Sequence, residues 1–326
     1  MSSMEPLVVT KRESGRIFAF EVKSVPVQLV NAIRRILLNE TPVVELQDIV
    51  IKKNTTDMPY EVLRHRIEML PVNVRPSEAE IIEKSKVELR IEAEDKDQHM
   101  VTTDDFVVNS SRPDLLMKEP DSGTPCFVLK TKKGDAVHIE ARLGVNPVGS
   151  QVCLATYSYH IDPERVLRDR KVFIESNPDI ADAERVFNNS QIQRSFHTNA
   201  RGRPDWFDVK VETLGVISAR ELVLTALKVI QQRTKAWADQ VREKIIRNQE
   251  ENVYTFVSNE GHTIGALLDY VIYDEPGLVK VKDYDVPHPL RQEMKIRVLT
   301  DKPPEEIIDF CVKKVTEYCT QLEKEL

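Results

Sequence analysis

The stretch Val25–Glu40, VPVQLVNAIRRILLNE, most constrains what this chain can fold into. Val27, Val30, Ile33 and Leu37 recur at three- and four-residue steps, and Leu29, Ile36 and Leu38 widen that stripe well past a narrow seam. Ser24 is the expected N-cap, Pro26 sits where a missing amide costs nothing, and Pro42 ends the helix by pushing its predecessor out of helical geometry. A helix apolar over most of its circumference needs cover on more than one side, beyond what its own domain supplies. It also carries two adjacent arginines, Arg34 and Arg35, expected on the surface.

A length of 326 residues allows about two domains. With 41% hydrophobic and 30% charged residues the chain reads as ordinary globular protein. Its net charge of −7 argues against binding nucleic acid over a broad face, which leaves a local basic patch open. Cys126, Cys153, Cys311 and Cys319 show no CxxC spacing, so no zinc or iron–sulfur site is expected from them; Cys311 and Cys319 fit a helix's apolar face. The opening MSSMEPLVVTKRESG lacks a basic-then-apolar signal, and no run of about 18 apolar residues follows. An intracellular protein that does not span a membrane is therefore expected.

Leu7–Thr10 and Ile17–Val22 read as a hairpin, followed by the helix and an extended Val43–Lys52. Asp57 and Pro59 open a second helix, Tyr60–Leu70, with Leu63, Ile67 and Leu70 on one face and Arg64-His65-Arg66 on the other. That basic face is either solvated or a contact site. Val87–Ala93, Val137–Val145 and Cys153–Tyr159 alternate apolar with polar residues, as half-buried antiparallel strands do, and read as a β-rich insert. Ile161–Pro204 reads as irregular and polar; within it Gln193–Arg203 (QRSFHTNARGR) is basic, either a contact loop or plain surface.

Phe207–Glu212 is a strand, and Ser218 with Glu221 forms a capping box for a helix expected to run to about Asn248, on the order of 40 Å. In the last quarter, strand Val253–Val257, helix Thr263–Tyr273, strands Val279–Val286 and Met294–Leu299, and a helix opened by Asp301 and Pro304 repeat the plan of the first frame. Two such half-modules can bury their helix pairs against each other as an internal pseudo-dimer. The expected fold class is α+β: two modules, each a mixed sheet with two helices, the first interrupted by the insert. The expected division is 1–45 with 205–249 for the first module, 46–204 for the insert and 250–326 for the second module.

Asn31-Ala32-Ile33-Arg34-Arg35-Ile36-Leu37-Leu38, Glu40-Thr41-Pro42 and Arg64-His65-Arg66-Ile67-Glu68-Met69-Leu70-Pro71 resemble the alpha-type assembly subunit of multisubunit DNA-dependent RNA polymerases. Asn259-Glu260-Gly261-His262-Thr263-Ile264-Gly265 and Tyr284-Asp285-Val286-Pro287-His288-Pro289 resemble its small alpha-like partner. The resemblance implies a non-catalytic scaffold within a nucleotidyltransferase complex. Its two alpha-like halves pair through helices and nucleate binding of two large catalytic subunits, alongside other small polymerase subunits, with little direct nucleic-acid contact and no membrane. A fusion of both halves looks like those of large DNA viruses of eukaryotes, which would place it in a cytoplasmic viral factory, a virion or the host nucleus. The cysteine cluster that many relatives carry in the insert is missing, so no cofactor carries over. Ala266 stands where the small partner usually has asparagine, which puts one polar contact in question.

On this reading the partner-binding residues are Arg34, Arg35, Asn31, Arg64, Arg66, His262, Thr263 and His288. Guanidinium suits bidentate pairing with carboxylates at interfaces. The dimerisation core is expected from Val30, Ile33, Leu37, Leu227, Ile230, Leu267, Leu268, Val271, Ile308, Val312 and Val315. No nucleophile or paired acid stands near His262 or His288, which read as capping or turn residues, and no phosphate-cradling glycine loop is present. A stand-alone regulatory interaction protein is the competing reading; an enzyme on an α+β fold is a third, for which no motif-spaced titratable groups converge.

Overall fold

The computed structural model describes residues 7–93, 98–146, 152–248, 252–288, 290–291 and 293–326; Pro289 of the Pro-His-Pro turn lies outside them. Its helices in chain order are α1 (Val27–Asn39), α2 (Tyr60–Glu68), α3 (Ala79–Lys84), α4 (Pro163–Ser176), α5 (Ala183–Ser190), α6 (Ala219–Glu243), α7 (His262–Asp274) and α8 (Pro304–Glu325). Helix α1 starts later than a Ser24 cap requires. Ser24 lies in the left-handed region at φ +62°, and the Pro26 carbonyl accepts the first helical bonds from Leu29 and Val30 at 3.0 and 3.4 Å. The proline therefore supplies the first acceptor, and the chain turns at Ser24.

The chain forms two compact units whose boundary passes through α1 and α6. The first unit runs to Ile36 and takes in Ala155–Val211 and Val223–Leu326; the second holds Leu37–Leu154 and Glu212–Leu222. The unit boundaries therefore differ from the expected 46–204 insert. Cys153–Tyr159 belongs to the sheet of the first frame, and residues 155–204 go with it.

Two four-stranded sheets share one topology. The first has the order Leu7–Ser14, Ile17–Lys23, Trp206–Thr213, Cys153–Tyr159; the second has Ile245–Asn248, Val253–Ser258, Met294–Leu299, Val281–Asp285. Each is built as a hairpin, a helix, a strand at the far edge, a strand returning between, and a second helix. The first hairpin turns at Gly15 (φ +58°) with Ser14 opposite Ile17.

Helices α1 and α7 are both 13 residues long, and six buried positions of each coincide: 29, 30, 32, 33, 36 and 37 against 264, 265, 267, 268, 271 and 272, with Thr263 buried on α7 besides. Gly265 is the tightest of these. A Cβ there would stand 2.5 Å from Met294 Sδ and 3.1 Å from the Tyr284 ring, so glycine lets α7 approach its sheet.

Helix α6 ends at Glu243 and does not reach Asn248. Ile245–Asn248 instead pairs antiparallel with Val253–Ser258, whose other edge is taken by Met294–Leu299. Pairing with the sheet overrides a helical period that Ile245 continues. At α6's start the Glu221 amide donates to Ser218 Oγ at 3.2 Å. Helix α8 begins after Pro303 rather than at Asp301, whose carboxylate pairs with Lys280 at 2.6 Å.

Ile161–Pro204 is not irregular. It holds α4, capped by Asp162 with Pro163 in the first turn, and α5, capped by Asp182. Their contact is carried by Phe173 and Phe187, with ring centroids 5.7 Å apart.

Leu227 and Ile230 of α6, Leu267, Leu268 and Val271 of α7, and Ile308 and Val315 of α8 are buried, as are Val30, Ile33 and Leu37 of α1; Val312 is half-buried. Each fully buried aliphatic side chain stabilises by about 1.5–3 kcal/mol. Trp237 of α6 meets Phe256 of the second sheet edge-on at 6.3 Å, and Gln231 of α6 donates to Glu323 of α8 at 3.0 Å. The end of α8 returns to the first strand, where the Val8 amide and Lys11 both bond Glu325.

In the second unit the sheet order is Val43–Asn54, Ala136–Asn146, Lys86–Glu92, Phe106–Asn109, with a separate pair Gln98–Thr102 and Phe127–Lys132. Leu63 and Ile67 of α2 share one core with Leu46, Leu89 and Ile139. Among the described residues no helix is long and apolar enough to cross a membrane.

Candidate interaction site

Positions 31, 34 and 35 fall on the less buried side of α1 because the apolar residues of that helix take the positions turned to the core. Asn31 and Arg34 are half-buried and Arg35 is exposed. One helical turn apart, they interact: Arg34 Nε and Nη2 donate to Asn31 Oδ1 at 3.2 and 3.1 Å. The same guanidinium lies near Tyr157. Burial, then Tyr159, push the Tyr157 hydroxyl up, and Arg34 opposes them.

Arg35 Nε donates to Thr263 Oγ1 of α7 at 2.8 Å, so one of its five N–H donors ties the two half-modules together. Thr263 is buried, and its neighbour His262 is exposed, with Nδ1 3.0 Å from the Tyr284 hydroxyl and the two rings edge-on at 6.0 Å. Burial and Asp269 raise the Tyr284 hydroxyl. Asn31, Arg34, Arg35, Thr263 and His262 thus share one neighbourhood built from α1 and the start of α7. A guanidinium braced by a side-chain carbonyl, beside one anchored by a hydroxyl, is a pre-ordered donor set for carboxylates.

The other expected residues make contacts of their own. His288 receives the Leu290 amide at 3.1 Å on its Nδ1, as a turn residue does. In the second unit Arg64 Nη2 donates to the Ile49 carbonyl at 3.2 Å and Arg66 Nη1 to that of Val128 at 2.8 Å, with Arg66 also over the Phe127 ring at 5.8 Å. Both side chains are exposed, and each ties α2 to a backbone carbonyl of the same unit.

Two trios that sequence spacing does not display have the donor types of a divalent-cation site. Ligating atoms of Glu21, His160 and Asp208 lie within 4.8 Å of one another, as do those of Glu88, His138 and Glu140. In each the imidazole already bonds a carboxylate, His160 to Asp208 at 2.8 Å and His138 to Glu88 at 3.0 Å. The His160 ring also stacks on Trp206, 4.0 Å away and 10° from parallel. In the first trio Glu21 and Asp208 sit on neighbouring strands and His160 just follows a third; in the second, His138 and Glu140 share one strand and Glu88 comes from the strand beside it, so sheet order completes each trio. A cavity of about 500 Å³ beside the first trio is lined by Thr10, Arg12, Thr156, Tyr157 and Lys210 among others.

Residues 19–234 and residues 255–325 both match the family described as the RNA polymerase Rpb3/Rpb11 dimerisation domain. DNA-directed RNA polymerase subunit Rpo3 of Methanocaldococcus jannaschii is 27% identical over 158 residues, 47% of this chain and 75% of that subunit. The Rpo3 subunit of Pyrobaculum arsenaticum is 28% identical over 174 residues, 49% of this chain and 66% of that subunit, so the match spans just under two-thirds of its length. A conjugation stage-specific protein of Tetrahymena thermophila is 21% identical over 288 residues, 69% of this chain and 91% of that protein. With two matches on one polypeptide, the larger covering well over half of it, and two sheets of one topology to carry them, the chain belongs to the RNA polymerase Rpb3/Rpb11 dimerisation-domain family and folds as an α+β pseudo-dimer of two such modules.

Proposed function

We propose that this chain is a non-catalytic assembly subunit of a multisubunit DNA-dependent RNA polymerase. Two alpha-like modules pair in cis, and the α1 face with Asn31, Arg34 and Arg35 is offered to a large catalytic subunit. The observation that carries the reading is the doubled module: both family matches lie on one chain, and Arg35 of the first half bonds Thr263 of the second. Such a subunit starts assembly without waiting for a separate small partner, since linking two halves replaces a bimolecular encounter by an intramolecular one. Contact with other small polymerase subunits, and little contact with nucleic acid, belong to the same proposal. So does the viral setting, which rests on the likeness of a one-chain arrangement to the fusions of large DNA viruses of eukaryotes. It places the protein in a viral factory, virion or infected nucleus.

Mild purification of the native complex through a tag on this chain tests the proposal. Two very large chains should be recovered with it, and Arg35→Ala should lower their yield while the variant stays folded. Recovery of this protein alone would count against a polymerase role. It would favour a stand-alone regulatory protein, the reading to which the stage-specific name of the Tetrahymena relative lends support.

A further inference from the structure

Between its third and fourth sheet strands the first half carries residues 160–205, where the second half has only 286–293. The end of that longer connection is a built turn. The Asn199 amide donates to the Arg203 carbonyl at 2.8 Å, Asn199 Oδ1 accepts the amides of Arg201 and Arg203 at 2.9 and 3.1 Å, and Gly202 takes φ +73°. The turn aims two guanidiniums at the C-terminal end of α7. Arg201 Nη1 lies 2.5 Å from Asp274 Oδ1 and Arg203 Nη1 3.8 Å from it. Arg203 also sits 4.9 Å from the centre of the Tyr273 ring and hydrogen-bonds Tyr270. Cations are favoured there by the helix dipole as well as by Asp274.

Because the halves share a topology, one mispairing is always available: the first half of one copy with the first half of another. In that arrangement the same turn meets α1 instead of α7. The matching burial of the two helices puts Arg35, Leu38 and Asn39 where α7 has Tyr270, Tyr273 and Asp274. The turn would then lose its carboxylate and its aromatic face and meet a like charge.

We infer that Arg201 and Arg203 are specificity determinants of module pairing, reading α7 as the correct partner and rejecting the α1 of a second copy of this chain. The turn contributes attraction to the right pair and repulsion to the wrong one, the combination that makes pairing selective. The inference rests on the fold and needs no polymerase, so its failure leaves the proposed function standing.

The test is light scattering of the full chain over about 1–100 µM, a range that reveals micromolar self-association. Wild type should be monomeric. Arg201→Asp/Arg203→Asp, which repels Asp274 and attracts Arg35, should dimerise with a dissociation constant at least about tenfold lower. Asp274→Arg added to that pair should restore the monomer, and interchain cross-links in the dimer should join first half to first half. The milder Asp274→Asn, which keeps the shape of the helix end, should shift the equilibrium the same way if the charge-reversed protein fails to fold. A dimeric wild type, a folded double variant as monomeric as wild type, or no restoration by Asp274→Arg would each overturn the inference.

Discussion

Replacing Leu268 by alanine probes whether the two halves fold as one cooperative body. Leu268 lies on α7 in the second half and is fully buried. The substitution removes three carbons, worth about 2.4 kcal/mol of transfer free energy at roughly 0.8 kcal/mol each. The cavity left among rigid neighbours brings the total to about 3–4 kcal/mol. Trp237 reports on the junction of the halves: it sits on α6 of the first half, is itself buried, and packs edge-on against Phe256 of the second sheet. In a Trp206→Phe background its fluorescence alone follows urea unfolding. With a slope of about 3 kcal/mol/M for a protein of this size, the Trp237 midpoint should fall by roughly 1 M. A midpoint that moves by less than about 0.2 M, while circular dichroism shows the second half melting early, would refute cooperative pairing.

A double-mutant cycle of Arg35→Ala and Thr263→Val should give a coupling of about 1 kcal/mol in urea unfolding, the value of one partly buried charged-to-neutral hydrogen bond; additivity would mean that the bond does not hold the halves together. Glu78 receives Arg112 Nη2 at 2.6 Å and the Arg75 amide at 2.7 Å, which hold its carboxyl below the ordinary 4.5. A lowered folded value stabilises above about pH 4.5 and is lost as pH falls through it, so Glu78→Gln should destabilise near neutrality and match wild type in acid. Burial pushes the thiols of Cys153 and Cys319 up to about 11 and 12 and that of Cys311 higher still, while Cys126 is half-exposed. A thiol reagent should therefore label Cys126 first, at a rate slowed by its own raised thiol, and the other three only on unfolding; labelling of Cys311 in the native state would contradict the buried face of α8.

The paired architecture was legible because it is written in helix faces. Val30, Ile33 and Leu37 on one helix and Leu267, Leu268 and Val271 on another follow spacings that survive without any knowledge of contacts. What escaped was set by tertiary pairing or by capping. Helix α4 has no fully buried residue and a charged surface, so periodicity gave no sign of it; the Asp162-Pro163-Glu164 start was the signal available. Ile245 and Ile246 extend an apolar rhythm in sequence yet pair with Phe256 and Thr255, respectively, in the sheet. The basic Gln193–Arg203 loop, left open between contact and surface, makes its contact within the chain, on an acidic helix end 71 residues beyond Arg203. The Glu21, His160, Asp208 trio needed the strand order before its members could be seen as neighbours.

Native mass spectrometry of the complex purified through this chain tests most directly whether one polypeptide does the work of an alpha-like pair. One 37.4 kDa copy for every pair of large catalytic chains, with no separate alpha-like subunit, is the expected composition. Two copies per complex, or one copy joined by a distinct small alpha-like chain, would contradict pairing in cis.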